Sequence, residues 1–201
     1  MKKGTIAIIV VVALLALWVG SGYNRLVRLD QGVQGQWAEV ENVYQRRADL
    51  VPNLVETVKG AANFERQTMT AVTEARARVG QVSTQAADKS GKIVNDPAAF
   101  QRFQQAQDGL SSALSRLIAV SEAYPDLKAT AAFRDLQAQL EGTENRIAVA
   151  RMRFNEAAQA FNASRNTFPT VVIAGLFGGR FAEKAFFKAQ AGAATAPQVK
   201  F

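Results

Sequence analysis

The sequence predicts an all-α protein: an antiparallel bundle of three long helices plus a short C-terminal helix, preceded by one N-terminal transmembrane helix. Three observations predict it. Ile6–Val19 is an unbroken apolar run of 14 residues. Phe133, Leu140, Ile147, Phe154, Phe161 and Phe168 recur every seven residues, the repeat of supercoiled helices. No segment alternates apolar and polar residues with the period of a strand over any useful length.

The N-terminal element is assigned from length and flanks. Gly4 to Tyr23 carries no charge and makes 20 residues, about 30 Å as a helix, which matches the hydrocarbon thickness of a bilayer. Its spanning side chains are Ile6, Ile8, Ile9, Val10, Val11, Leu14, Leu15, Leu17 and Trp18, with Trp18 and Tyr23 toward the far interface. The rival is a cleaved signal peptide, with Lys2-Lys3 as its basic start and Gly20 and Gly22 as small residues near a cut. Against it, a Trp stands where small residues belong, and a helical pattern begins directly afterwards. Residues 1–23 are therefore read as an uncleaved anchor. Lys2, Lys3 and the terminal amine precede it, while Asp30 partly offsets Arg25 and Arg28 after it. The positive-inside rule then places the N-terminus in the cytoplasm and the bundle on the non-cytoplasmic side of a bacterial inner membrane, as a single-pass protein.

Residues 24–188 form the bundle domain in this reading. The first helix covers 24–79, with Val33, Trp37, Val40, Tyr44, Val51, Leu54, Val58 and Val72 on one stripe. Pro52 crowds the carbonyl of Ala48 and removes one hydrogen bond, so a kink or short break is expected there. Gly80 to Asp96 loses the period and reads as a loop or frayed end. The second long helix, 97–123, opens on Pro97 with Asp96 as its cap. The third, 127–167, carries the seven-residue seam, with Asp126 after Pro125 as its cap. A short helix at about 175–188 either closes the bundle or lies on the membrane, and packing is the preferred reading. The Ala/Gly-rich tail, 189–201, is read as disordered.

Composition removes much chemistry. The chain has no Cys and no His, which excludes disulfides, thiolate nucleophiles, imidazole bases and the usual zinc sites. The net charge of +7 sits largely at the ends: two charges at Lys2 and Lys3, three net in 180–201, and only two net in residues 24–179. A nucleic-acid-binding domain concentrates its basic excess on one face, so anionic lipid is the simpler partner. No cofactor, metal or nucleic acid is expected.

With these segments placed, the sequence resembles the LemA family. The likeness runs from Tyr23 to Phe187 and is carried by Tyr23-Asn24-x-Leu26-Val27 and RRADLVPNLVETVKG at Arg46 to Gly60. EARA at Glu74 to Ala77, EAYPDLKA at Glu122 to Ala129, LEGTENRIAVAR at Leu140 to Arg151, and FPTVVIAGLFG at Phe168 to Gly178 complete the set. The resemblance implies a single-pass bacterial membrane protein with a long-helix bundle, and no established reaction. Within these blocks, Arg46, Arg47, Asp49, Pro52, Asn53, Glu122, Tyr124, Pro125, Asp126, Glu144 and Asn145 are expected to be structural or interaction positions. Where the family tends to show Tyr-Asn twice on its last long helix, this chain has Phe154-Asn155 and Phe161-Asn162, which puts any role for those hydroxyls in doubt.

Arg47 falls on the apolar stripe between Tyr44 and Leu54, and a seam charge requires a partner; Glu141 or Glu144 is expected to supply it. The other use of the Arg46–Arg47 pair is to dock an acidic partner or head group. Glu141 and Glu144, amid Arg146, Arg151 and Arg153, read as surface ion pairs rather than an acid–base couple. Asn155 and Asn162, one heptad apart, form either interhelical hydrogen bonds or a polar strip for a partner. No phosphate loop, dinucleotide fingerprint, EF-hand or nucleophile elbow is present. The functional expectation is a membrane-anchored, non-enzymatic scaffold that binds another envelope protein or itself. The alternatives are a sensor or hydrolase using carboxylates between helices, and a protein that shapes membrane or self-assembles.

Overall fold

The structure, a computed structural model, describes residues 3–60, 65–88 and 93–188, and every regular element among them is helical. The order is α1 (Lys3–Lys59), α2 (Arg66–Asp88), α3 (Pro97–Ser121), α4 (Pro125–Ala129), α5 (Ala131–Asn166) and α6 (Thr170–Leu176). A 3₁₀ turn at Ile93–Asn95 precedes α3, and another at Gly178–Phe181 follows α6. α1 packs mainly on α5, and α2 mainly on α3. Arg47 beside Glu144 and Trp37 beside Phe154 run α5 against α1, while Trp37 beside Phe103 and Arg47 beside Gln107 run α3 along it. Arg76 beside Ala48, with Val79 and Ser83 near Glu41 and Tyr44, runs α2 against α1, so α1, α2, α3 and α5 go up, down, up, down. The all-α antiparallel bundle behind an apolar N-terminal helix is the architecture expected from sequence.

Several boundaries are corrected. The helix expected over 24–79 is two helices: α1 stops at Lys59, before Gly60, and α2 starts at Arg66. Among the described residues, four long helices result instead of three. Val72, Ala75 and Val79 on α2 join Val51, Leu54, Val55 and Val58 of α1 in one core cluster, so both halves share an apolar stripe although the chain turns between them. α1 runs helically through Pro52 with no break. The region from Gly80, expected as loop, stays helical to Asp88. α3 begins as expected: the Asp96 carboxylate accepts from the Ala98 and Ala99 amides at 2.9 and 3.1 Å.

The expected 127–167 helix begins instead with the one-turn α4 and then α5, whose cap is Thr130 rather than Asp126; its Oγ1 accepts from the Phe133 amide at 3.3 Å. Phe133, Leu140, Ile147, Phe154 and Phe161 are buried as the seam requires. Phe168 is not, at 77% exposed. α5 has ended at Asn166, and Pro169 disfavours helical backbone in the residue before it, so Phe168 leaves the seam. The short helix expected at 175–188 is α6 at Thr170–Leu176, then Gly178 at φ +52°, the 3₁₀ turn, and non-helical chain from Ala182 to Lys188. The tail 189–201 lies outside the described residues.

The core has two parts along the rod. One, toward the N-terminal end of α1, holds Trp37 with Phe100, Phe103, Phe154 and Phe187, ring centroids 5.1–6.2 Å from the indole. The other holds Leu54, Val58, Leu110, Leu117, Phe133 and Leu140. Ahead of both, α1 projects without a neighbour among the described residues: Ile8 is 66% and Leu17 72% exposed, and the first buried residue is Leu26. This is the one helix among the described residues long and apolar enough to cross a membrane.

Candidate functional site

Three polar constructions stand out against the apolar core, and the sequence-selected residues divide among them. The first separates the two core clusters. Arg47 is 1% exposed. Its Nη1 donates to Glu144 Oε1 on α5 at 2.9 Å and to Ser111 Oγ on α3 at 2.5 Å. Its Nη2 donates to the Gln107 side-chain and main-chain oxygens at 2.5 and 3.1 Å. The Tyr44 ring lies 5.0 Å from the guanidinium carbon. Burial pushes the Tyr44 phenol up, against the lowering charges of Arg151 and Arg47, so it stays neutral at physiological pH. Glu141 is not part of this knot; it accepts from Gln137 at 3.1 Å.

One turn further, α2 enters the same layer. Pro52 has no amide to give the Ala48 carbonyl, and Arg76 Nε donates to that oxygen at 3.0 Å. Arg76, which sequence reasoning passed over as part of the EARA block, thus satisfies the acceptor that Pro52 orphans. Arg46 is exposed beside Arg47, and Asp49 accepts from Gln45 at 2.7 Å. Asn53 is exposed, and its main-chain oxygen accepts from Thr57 at 2.8 Å.

The second construction is a strap. From Ala182 the chain runs back along α5 without helical hydrogen bonds, and heptad-spaced amides supply them. Asn162 Nδ2 donates to Lys184 O, and Lys184 N donates to Asn162 Oδ1, both at 2.9 Å. Asn155 repeats the pattern with Phe187 at 3.0 and 2.9 Å. Arg165 Nε donates to Phe181 O, and Arg151 and Gln104 donate to Lys188 O. The pins let Phe181, Lys184 and Phe187 turn inward. Lys184, with no exposed side-chain surface, pairs with Asp30 of α1 at 2.5 Å, donates to Asn95 and lies over the Phe161 ring. Phe154 and Phe161 bury their rings wholly, where a hydroxyl would have needed a partner.

The third lies at the end of the rod far from the apolar projection. Glu122 and Lys128 pair across the α3–α4 turn. Tyr124 precedes α4, Pro125 takes its first position, and Asp126 lies in its first turn. With Thr57 of α1 and Gly60 just after it, this turn lines an open cleft of about 770 Å³. The RRADLVPNLVETVKG and EAYPDLKA blocks, far apart in sequence, meet there. Asn145 is exposed on α5 and joins none of the three.

A fourth feature bears on the carboxylate alternative. A cavity of about 230 Å³ lies among Glu41, Tyr44, Gln45, Val79, Ser83 and Gln107. Burial raises the Glu41 carboxyl above its ordinary value, and a hydrogen bond from Trp37 only partly opposes this. Among the described residues, Glu41 is the one carboxyl lining that cavity, where acid–base chemistry between two carboxyls would need a pair. Among the described residues, no three Asp or Glu side chains converge to hold a metal.

Relatives place these features in a family. The chain is 27% identical over 189 residues to magnetosome proteins MamQ 1 and MamQ 2 of Paramagnetospirillum magneticum, covering 89% of this chain and 69% of each relative. It is similar to MamQ of Magnetospirillum gryphiswaldense, 26% identical over 78% of this chain and 61% of that one. It is also similar to protein LemA of Metamycoplasma hominis, 23% identical over 75% of this chain and 63% of the relative. The pattern that defines the LemA family matches residues 36–201, taking in the Arg47 layer, the Asn155 and Asn162 pins and the distal turn. On that match, this chain belongs to the LemA family.

Proposed function

We propose that this protein is a membrane-anchored, non-catalytic scaffold whose bundle presents a binding surface away from the lipid. The observation that carries the reading is α1 itself. One uninterrupted helix is apolar and exposed on all sides over its first turns, and then becomes a core element of the bundle. A bare apolar helix of that length is costly in water and suits the hydrocarbon layer. Lys2 and Lys3 ahead of it favour a cytoplasmic N-terminus and a bundle on the outer side of a bacterial inner membrane.

The use made of the buried charges among the described residues supports a scaffold over a hydrolase. The buried charged side chains, Arg47 and Lys184, are spent on holding helices together. The names of the MamQ relatives give a cellular structure, the magnetosome, and no reaction. The partner surface in this reading is the distal cleft around Tyr124 and Pro125, about 55 Å along α1 from Tyr23 at 1.5 Å per residue. The partner class is another envelope protein.

Photocrosslinking in intact cells tests the scaffold, with the probe placed at Tyr124 and, for comparison, at Asp135 on the side of α5. A distinct protein captured through Tyr124 and not Asp135 is the expected result. Capture of only this chain by both positions replaces the scaffold with self-assembly. Separately, the chain is expected to stay with the membrane through a high-salt wash and to need detergent for release; recovery in the wash removes the anchor.

A further inference from the structure

We infer that Phe168–Phe177, built around α6, is a second lipid contact: an interfacial foot that inserts its outer apolar face into the bilayer beside the anchor. The inference rests on the anchored reading of α1 and adds a site to it. α6 is two-faced. Thr170, Ile173 and Ala174 are buried against the bundle, while Phe168 at 77% and Leu176 at 72% exposure, with Val172, stand out in the open direction. Val172 and Leu176, four residues apart on α6, share one side, and Phe168 stands exposed just ahead of the helix. A bundle that buries Phe133, Phe154 and Phe161 completely has no reason of packing to leave a Phe and a Leu this bare.

What covers this face follows from where it sits. α6 docks where α1 leaves the bundle: a Cβ on Gly22 would stand 2.3 Å from the Ile173 methyl, so glycine permits the approach. The Phe177 ring lies 4.7 Å from the Tyr23 ring, and with it lines a groove continuing down the anchor past Val19 to Leu15. Through Phe177, itself 44% exposed, the apolar surface of the segment therefore meets the anchor surface. Lys3 to Tyr23 spans about 30 Å of helix, the hydrocarbon thickness, so the level of Gly22 and α6 is the head-group boundary.

Charge agrees with that depth. Arg25, Arg28 and Arg180 are exposed around the same level, and the Arg180 guanidinium lies 5.4 Å from the Tyr23 ring. An apolar face rimmed by arginines and aromatic rings suits anionic head groups above and acyl chains below. The occupant is lipid rather than a second copy because the face joins the anchor and carries this basic rim.

The chain has no Cys, so single cysteines can report depth. Full-length Phe168→Cys, Leu176→Cys, Leu17→Cys and Asp135→Cys, each labelled with an environment-sensitive fluorophore, are reconstituted in phosphatidylglycerol-containing vesicles with lipids brominated near the head group or deep in the chain. Expected is blue-shifted emission from Phe168→Cys and Leu176→Cys, quenched most by shallow bromine, with Leu17→Cys quenched most by deep bromine and Asp135→Cys by neither. If Leu17→Cys is quenched while both α6 positions behave as Asp135→Cys, the foot is refuted and the anchor stands. Blue-shifted α6 labels that no brominated lipid quenches mean a protein occupant and also refute it. If Leu17→Cys itself is unquenched, the anchored reading falls and takes the foot with it.

Discussion

Arg76 of α2 donates its Nε to the main-chain oxygen of Ala48 on α1, the carbonyl that Pro52 deprives of its helical donor. An irregularity in one helix is thereby turned into a docking point for the next. Arg76→Ala is expected to cost about 1–3 kcal/mol, the range for leaving a buried acceptor unpaired. In a Pro52→Ala background the restored helical hydrogen bond makes Arg76 redundant, and the cost shrinks toward zero. A double-mutant cycle by chemical denaturation checks this; equal costs in both backgrounds contradict it.

The Arg47 layer is expected to respond unequally to its partners. Glu144 is 41% exposed, so Glu144→Gln costs about 1 kcal/mol or less. Gln107→Leu removes the side-chain acceptor from a guanidinium that has no access to water, and costs about 3 kcal/mol. Denaturation midpoints of the two variants give the ranking, which reverses if Glu144 is the principal partner.

Asn162 tests the strap. Asn162→Asp preserves the acceptor for the Lys184 amide but sets an oxygen against the Lys184 carbonyl where Nδ2 now donates. Both Asn162→Asp and Asn162→Ala are expected to raise hydrogen exchange at the Lys184 amide, with a loss of about 1–3 kcal/mol in each. The Phe187 amide, pinned by Asn155, is expected to change less. Unchanged exchange at Lys184 would show that side-chain burial alone holds the segment.

Glu41 carries a pH dependence. Its folded-state carboxyl is raised by burial, so between the ordinary and the raised value the folded state binds more protons than the unfolded one. Stability then falls as pH climbs through that window, and the penalty stays in place at neutral pH. Glu41→Gln is expected to raise the melting temperature at pH 7 and to leave it unchanged near about pH 3, where both forms are neutral. A gain that is the same at both values would mean the carboxylate charge is not responsible.

Much of this architecture was legible in residue spacing. The heptad line from Phe133 to Phe161 identified the buried side of α5, because five large residues at one interval admit no other element. Asp96 before Pro97 named its own helix start. The turn after Lys59 escaped because Leu54, Val58 and Val72 keep one helical phase across it, with no proline to punctuate it. The strap was misread for a sharper reason. Phe181, Lys184 and Phe187 are buried every third residue, close to the spacing of a helix face. Ala182 at φ −58°, ψ 148° has polyproline-type backbone, whose period is also three. Sequence spacing does not distinguish the two, and only the heptad-spaced asparagines hinted at what pins the chain. The burial of Lys184 is not visible in spacing either, because its counter-charge, Asp30, lies far away in sequence.

The single stretch of helix from Lys3 to Lys59 has one more consequence, if its apolar turns sit in lipid as proposed. There is no swivel between the part that feels the bilayer and the part that meets a partner. A tilt of about 20°, ordinary for a membrane helix, would swing the Lys59 end sideways by about 18 Å. A thinner or thicker sheet of lipid would thus be read out as a lever arm's displacement at the far tip.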